Sequence, residues 1–244
     1  MSTTPEFPTP NKERNKVAIK YNDKCVAEQN SVHIAWDLLM EDRFSDLRAC
    51  IYSSGEEKSR FRQLIVNAVI ATDIADVELQ ALRKNRWYEA FYDEQQHLII
   101  DRRGLDDDIS YKATVVFEYI IQASDVAHTM QHWHVYSRWN ERLYEERYLA
   151  YLDGKEEKDP SLGWCNGEIW FFDNYIIRLA RKLETCGVFC VSSDEYLNYA
   201  LANRHEWERR GHEIVEQLRE KCSRLKLTDN SAEVQYPRRS CPQV

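Results

Sequence analysis

Proline is absent from residue 11 to residue 159, and glycine occurs only seven times in 244 residues. Both break helices, so their scarcity excludes a turn-rich β fold and points to an all-α chain. No apolar run reaches the roughly 18 residues that span a bilayer, and the first sixteen residues, MSTTPEFPTPNKERNK, lack the apolar core of a signal peptide. The seven cysteines are odd in number and never spaced CxxC, which disfavours a disulfide framework or zinc knuckle and suits reduced thiols in the cytoplasm. A Gly-rich phosphate loop, a G-x-S-x-G elbow and kinase motifs are all missing. No repeat of 20–50 residues suggests a solenoid.

What is present is a globular balance of 43% hydrophobic and 30% charged residues, enough for one sizeable core. The net charge of −8 argues against a nucleic-acid partner. An acidic protein can still handle a phosphate ester when divalent metals supply the positive charge. Apolar periodicity predicts helices near residues 28–41, 57–76, 110–127, 132–152, 168–184 and 193–222, the last opening on the capping-box pattern Ser192-Ser-Asp-Glu195. Residues 1–15 and 228–244 read as polar, disordered tails around a single domain at 16–227.

Several polar groups interrupt the apolar faces. Asp73 ends Ile70-Ala-Thr-Asp and Asp125 ends Ile120-Ile-Gln-Ala-Ser-Asp. A carboxylate entering a core is paired, hydrogen-bonded or metal-bound, and a helix-end acid bonded to backbone or arginine is the plainer reading of each. His128, His132 and His134 form HxxxHxH after Asp125. On a helix the i, i+4 pair would share a face and could bind zinc with Asp125, or simply flank Trp133. The row Trp133, Tyr136, Trp139, Tyr144 and Tyr148 suits a core better than a ligand box. Glu168, just before Trp170-Phe-Phe-Asp173, could meet a ligand N–H beside an aromatic platform, or be a helix-start acid favoured by the dipole.

Taken together, five segments resemble the class I 3′,5′-cyclic nucleotide phosphodiesterases. They are Tyr21-Asn-Asp-Lys-Cys-Val-Ala-Glu28, Val69-Ile-Ala-Thr-Asp73, Ser124-Asp125 with Tyr136-Ser-Arg-Trp139, Glu168-Ile-Trp-Phe-Phe-Asp173 and Asn203-Arg-His-Glu-Trp207. Their order and spacing match the C-terminal two-thirds of that catalytic domain over about residues 18–210, in a version most like diatom and related algal enzymes. The resemblance implies a compact multi-helix bundle of the HD-domain-like type with two divalent metals, usually zinc and magnesium, that hydrolyses cAMP or cGMP to the 5′-nucleotide in signal transduction. It would make Asp125 a metal ligand, Asp73 the helix-end acid facing the metal cavity, and Glu28 the acid beside the catalytic histidine. Phe171 would stack on the base, Glu168 would hydrogen-bond it, and His128 would stand where an asparagine contacts it. Tyr136 would line the same pocket. Guanine's two adjacent donors suit a carboxylate at 168, a tilt toward cGMP that leaves the preference open.

The family's H-N-x-x-H-A and H-D-x-D-H motifs do not occur in these residues, whose first histidine is His33. The expectation is therefore an N-terminally truncated domain with at most a partial metal site, inactive alone and with an apolar face uncovered. The alternatives are a pseudoenzyme serving as a helical interaction module and an unrelated zinc-binding helical protein. Homo-oligomer or parent-domain contacts are further expected partners.

Overall fold

The computed structural model describes residues 16–92, 106–187, 189 and 194–233. Among the described residues ten α-helices run in the order α1 (Lys16–Lys20), α2 (Val26–Met40), α3 (Ser45–Ile51), α4 (Gly55–Ile70), α5 (Val77–Phe91), α6 (Asp106–Asp125), α7 (Trp133–Leu152), α8 (Trp164–Phe171), α9 (Ile177–Thr185) and α10 (Glu195–Glu233). No strand occurs among the described residues, as the shortage of helix breakers requires. None of these helices is long and apolar enough to cross a membrane.

Local chemistry sets the boundaries. Ser54 caps α4 by accepting from the Glu57 N–H at 3.2 Å, while the Glu57 carboxylate accepts from the Ser53 N–H at 2.7 Å. This reciprocal arrangement satisfies two otherwise orphaned donors. At the C-terminus of α7, Gly154 adopts φ 71° and Lys155 N–H reaches back to Ala150 O at 2.9 Å, closing the last turn.

The sequence-based helix at 57–76 is corrected here. The apolar period passes through Ala71–Asp76, but the helix ends at Ile70 because Asp73 Oδ1 accepts from the Ala75 and Asp76 N–H groups at 2.9 and 3.3 Å. Asp76 Oδ1 then caps α5 by accepting from Leu79 N–H at 3.0 Å, starting a helix the periodicity did not isolate. The stretch expected at 168–184 is α8 and α9 joined by a π-helical turn, Phe172–Ile176. Helix α10 breaks at Arg210 (φ −143°) and continues to Glu233, past residue 228 where the tail was expected. The Ser192 cap, residues 1–15 and residues 234–244 lie outside the described residues.

The chain divides into two compact units. The described part of Thr9–Ala127 with Lys182–Cys190 forms one, in which α2 packs on α4 and α6 packs on both α4 and α5. Its core is the ring cluster of Trp87 with Phe91 (centroids 4.3 Å apart) and Tyr119 (4.9 Å, edge-on). The described part of His128–Arg181 with Val191–Val244 forms the other, in which α10 packs along α7 and α8. Tyr136, Tyr144, Phe172, Ile176 and Trp207 are all buried there. Gly211 lies on the α8 contact, and a Cβ at that position would overlap Cys165 Sγ.

Candidate functional site

The unit containing α7, α8 and α10 gathers the residues expected around a base. Tyr136 on α7 donates its hydroxyl hydrogen to Glu168 Oε2 on α8 at 2.5 Å. The Tyr136 hydroxyl oxygen accepts from Trp207 Nε1 at 2.6 Å and from Asn140 Nδ2 at 3.2 Å. Asn140 Oδ1 in turn accepts from Trp164 Nε1 at 3.1 Å. A phenol donates one bond and accepts two, so Tyr136 is fully committed and fixes one Glu168 oxygen. Burial pushes the Glu168 carboxyl above its ordinary range, against the bonds from Tyr136 and Asn140 that favour the anion. Burial, and then the Glu168 charge, push Tyr136 well above the usual phenol value.

The other two candidates stand nearby. His128 stacks parallel to the Tyr136 ring with centroids 6.3 Å apart. Phe171 follows Glu168 by three residues on α8, hence on an adjacent part of the same face, and stacks on Tyr175 at 5.5 Å. Trp170 between them is more exposed.

Sequence reasoning named Asn203-Arg-His-Glu-Trp207 as a motif without a role for its members. Asn203 Nδ2 donates to the carbonyls of Thr129 and Gln131 at 2.9 and 2.8 Å. Arg204 grips Asp173 through Nε at 3.0 Å and Nη2 at 3.1 Å, and Trp207 holds Tyr136. One helix face thus ties down the turn before α7, the α8–α9 junction and the Glu168 partner. Asn140 was missed too; its signal was a polar residue four positions from Tyr136 inside an aromatic row.

The HxxxHxH pattern does not form a shared helical face. His128 lies in a 3₁₀ turn, Ala127–Met130, and His132 precedes α7 with an extended backbone (φ −50°, ψ 145°). His132 Nε2 instead meets Tyr199 OH at 2.9 Å. Among the described residues these histidines belong to no group of three ligand atoms that converge.

In the other unit, Asp73 is the backbone-bonded helix-end acid described above. It also faces the Cys25 thiol, as do Asp76 and Glu28. Burial, and then these carboxylates with Asp73 foremost, push the thiol up to about 12. Arg83, which is buried, donates to Ile70 O at 2.7 Å and to Asp73 O at 3.3 Å, closing the α4 terminus beneath this group. Lys182 donates to Tyr119 OH at 2.6 Å and lies over that ring, and burial brings it down to about 8.

Asp125 is the last residue of α6 and is exposed. Two divalent ions need several carboxylate and imidazole ligands with water. Among the described residues Asp125 belongs to no converging ligand group, so the residues present do not fit a metal pair at that position.

The family model described as 3′5′-cyclic nucleotide phosphodiesterase matches residues 9–177. A probable 3′,5′-cyclic-AMP phosphodiesterase, pde-4, of Caenorhabditis elegans is 28% identical over 149 residues, covering 61% of this chain and 20% of that protein. A dual specificity calcium/calmodulin-dependent 3′,5′-cyclic nucleotide phosphodiesterase 1 of Drosophila melanogaster is 26% identical over 151 residues, covering 61% of this chain and 15% of that protein. The crystal structure of the phosphodiesterase domain of the RhoPDE fusion protein from the choanoflagellate Salpingoeca rosetta shares the fold. Its TM-score is 0.60 at 19% identity, over 85% of this chain and 62% of that one. The match spans at most a fifth of the length of these two curated relatives. With the all-α architecture and the family motifs in order, the chain belongs to the 3′,5′-cyclic nucleotide phosphodiesterase family.

Proposed function

We propose that this chain supplies the base-binding part of a domain that hydrolyses cAMP or cGMP. The observation that carries the reading is the Trp207–Tyr136–Glu168 chain of hydrogen bonds beside Phe171. A purine needs a flat apolar face and an acceptor or donor fixed in its plane. Phe171 offers the face, and stacking of this kind contributes about 1–3 kcal/mol per base. Glu168 offers carboxylate acceptors held in place by Tyr136. The anion can take guanine N1–H with the amino group, or the adenine amino group. His128 would add an edge contact from its place against Tyr136.

Asp125, Asp73 and Glu28 occupy positions that the resemblance gives to a metal centre, but the described residues do not complete one. The two histidine motifs that would complete that centre are not among these 244 residues. The chain's own contribution is to bind and orient the nucleoside.

Calorimetric titration with cAMP and cGMP tests this. Saturable binding is expected, reduced roughly tenfold by Phe171→Ala. Glu168→Gln should weaken cGMP more than cAMP, since the amide cannot accept both guanine hydrogens as the carboxylate does. If neither nucleotide binds the folded chain, the reading fails and a helical interaction module takes its place.

A further inference from the structure

We propose that Cys25, Asp73 and Asp76 form a site for one thiophilic divalent cation of the zinc type. The three residues reach one point from two segments, the turn before α2 and the α4–α5 junction. Their ligand atoms lie within 4.8 Å of one another, and Cys25 Sγ is 3.8 Å from Asp76 Oδ2 across 51 positions of sequence. In a tetrahedral zinc site a sulfur at about 2.3 Å and an oxygen at about 2.1 Å are held about 3.6 Å apart, so little movement is needed.

The carboxylates are already oriented. Asp73 Oδ1 is fixed by two backbone N–H groups and Asp76 Oδ1 by one. Each thereby has its backbone N–H partners in place before any ion arrives. Among the described residues neither carboxylate makes an ion pair with a lysine or arginine, Arg83 beneath them bonding the Ile70 and Asp73 carbonyls, so negative charge gathers around Cys25. A divalent ion would compensate it, binding the thiolate and releasing the thiol proton to solvent. The fourth position would be water. Asp125 takes no part, and Cys25 and Asp76 are not positions to which the resemblance assigns a metal. The inference stands apart from the nucleotide reading, and either can fail alone.

Cobalt(II) titration of the 244-residue chain tests it. One equivalent should give a thiolate-to-cobalt charge-transfer band in the near ultraviolet, displaced by zinc. Cys25→Ser should abolish the band while helicity by circular dichroism is unchanged. Asp73→Asn and Asp76→Asn keep the backbone caps but lose charge, so each should weaken cobalt affinity at least about tenfold. Asp125→Ala and Cys50→Ser should leave band and affinity as they are. A folded chain that shows no band, a band that survives Cys25→Ser, or one that depends on Asp125 would overturn the site.

Discussion

The two units differ most in what they enclose. The unit of α7, α8 and α10 closes over Tyr136, Tyr144, Phe172 and Trp207, each almost wholly buried. In the other unit, α2, α3 and α4 together bury one side chain, Val32. Ile34, Leu38, Leu47, Leu64 and Leu82 stay exposed there. The unit of α7, α8 and α10 therefore rests on its own packing, while α2, α3 and α4 hold few interior contacts. Amide hydrogen exchange should follow this order, with α7 and the first half of α10 protected longest and α2–α4 opening first.

The largest expected effect comes from breaking the packed unit at its centre. Trp207→Ala should cost about 3–5 kcal/mol in urea unfolding, because it empties the core and frees the Tyr136 hydroxyl. The matching truncation in the open unit, Leu64→Ala, should cost below about 1 kcal/mol, since that side chain is 46% exposed. Equal losses would erase the contrast.

A polar deletion in the open unit comes next. Arg83→Met keeps much of the buried volume but removes the guanidinium bonds to the Ile70 and Asp73 carbonyls, leaving Ile70 O with the Asp73 N–H at 3.2 Å, a loss of about 1–3 kcal/mol. It should speed exchange at the α4–α5 junction without changing α7. Gly211→Ala probes the opposite unit, since its new methyl overlaps Cys165 Sγ. About 1–3 kcal/mol is expected, partly recovered in the double variant with Cys165→Ala.

The smallest effect is a pH slope. Lys182 sits near 8 in the folded chain against 10.5 when unfolded, so between those values the unfolded state binds more protons. Stability from this group is lowest below pH 8, rises as pH climbs, and levels off above 10.5. Lys182→Met should flatten the curve by an amount on the order of 1 kcal/mol relative to the parent over that window. Parallel curves would show that Lys182 is better solvated than its packing on Tyr119 implies.

Much of this was legible in the sequence, for identifiable reasons. The α7 segment shows an unbroken apolar and aromatic period, so its limits came out within a residue or two. The α4–α5 junction did not, because Ile70, Ala71, Ile74 and Ala75 continue the apolar period while Asp73 and Asp76 end one helix and start the next through short-range bonds. Helix α5 also hides behind its charges, one of which, Arg83, is buried. Glu168 and Phe171 share one turn and could be paired by spacing alone. The Tyr136 contact lies 32 residues away and is set by tertiary packing. Cys25 carried no signal as an isolated cysteine, since its acidic neighbours arrive from a distant segment.

The central claim is that these residues hold a nucleoside and do not complete a hydrolytic centre. Its most direct test is turnover of cAMP and cGMP by the purified 244-residue chain with zinc, magnesium or manganese added. The account predicts saturable binding in the same sample and no 5′-nucleotide formed. Hydrolysis abolished by Asp125→Ala would contradict it, and would mean that ligands read here as structural complete a working metal site.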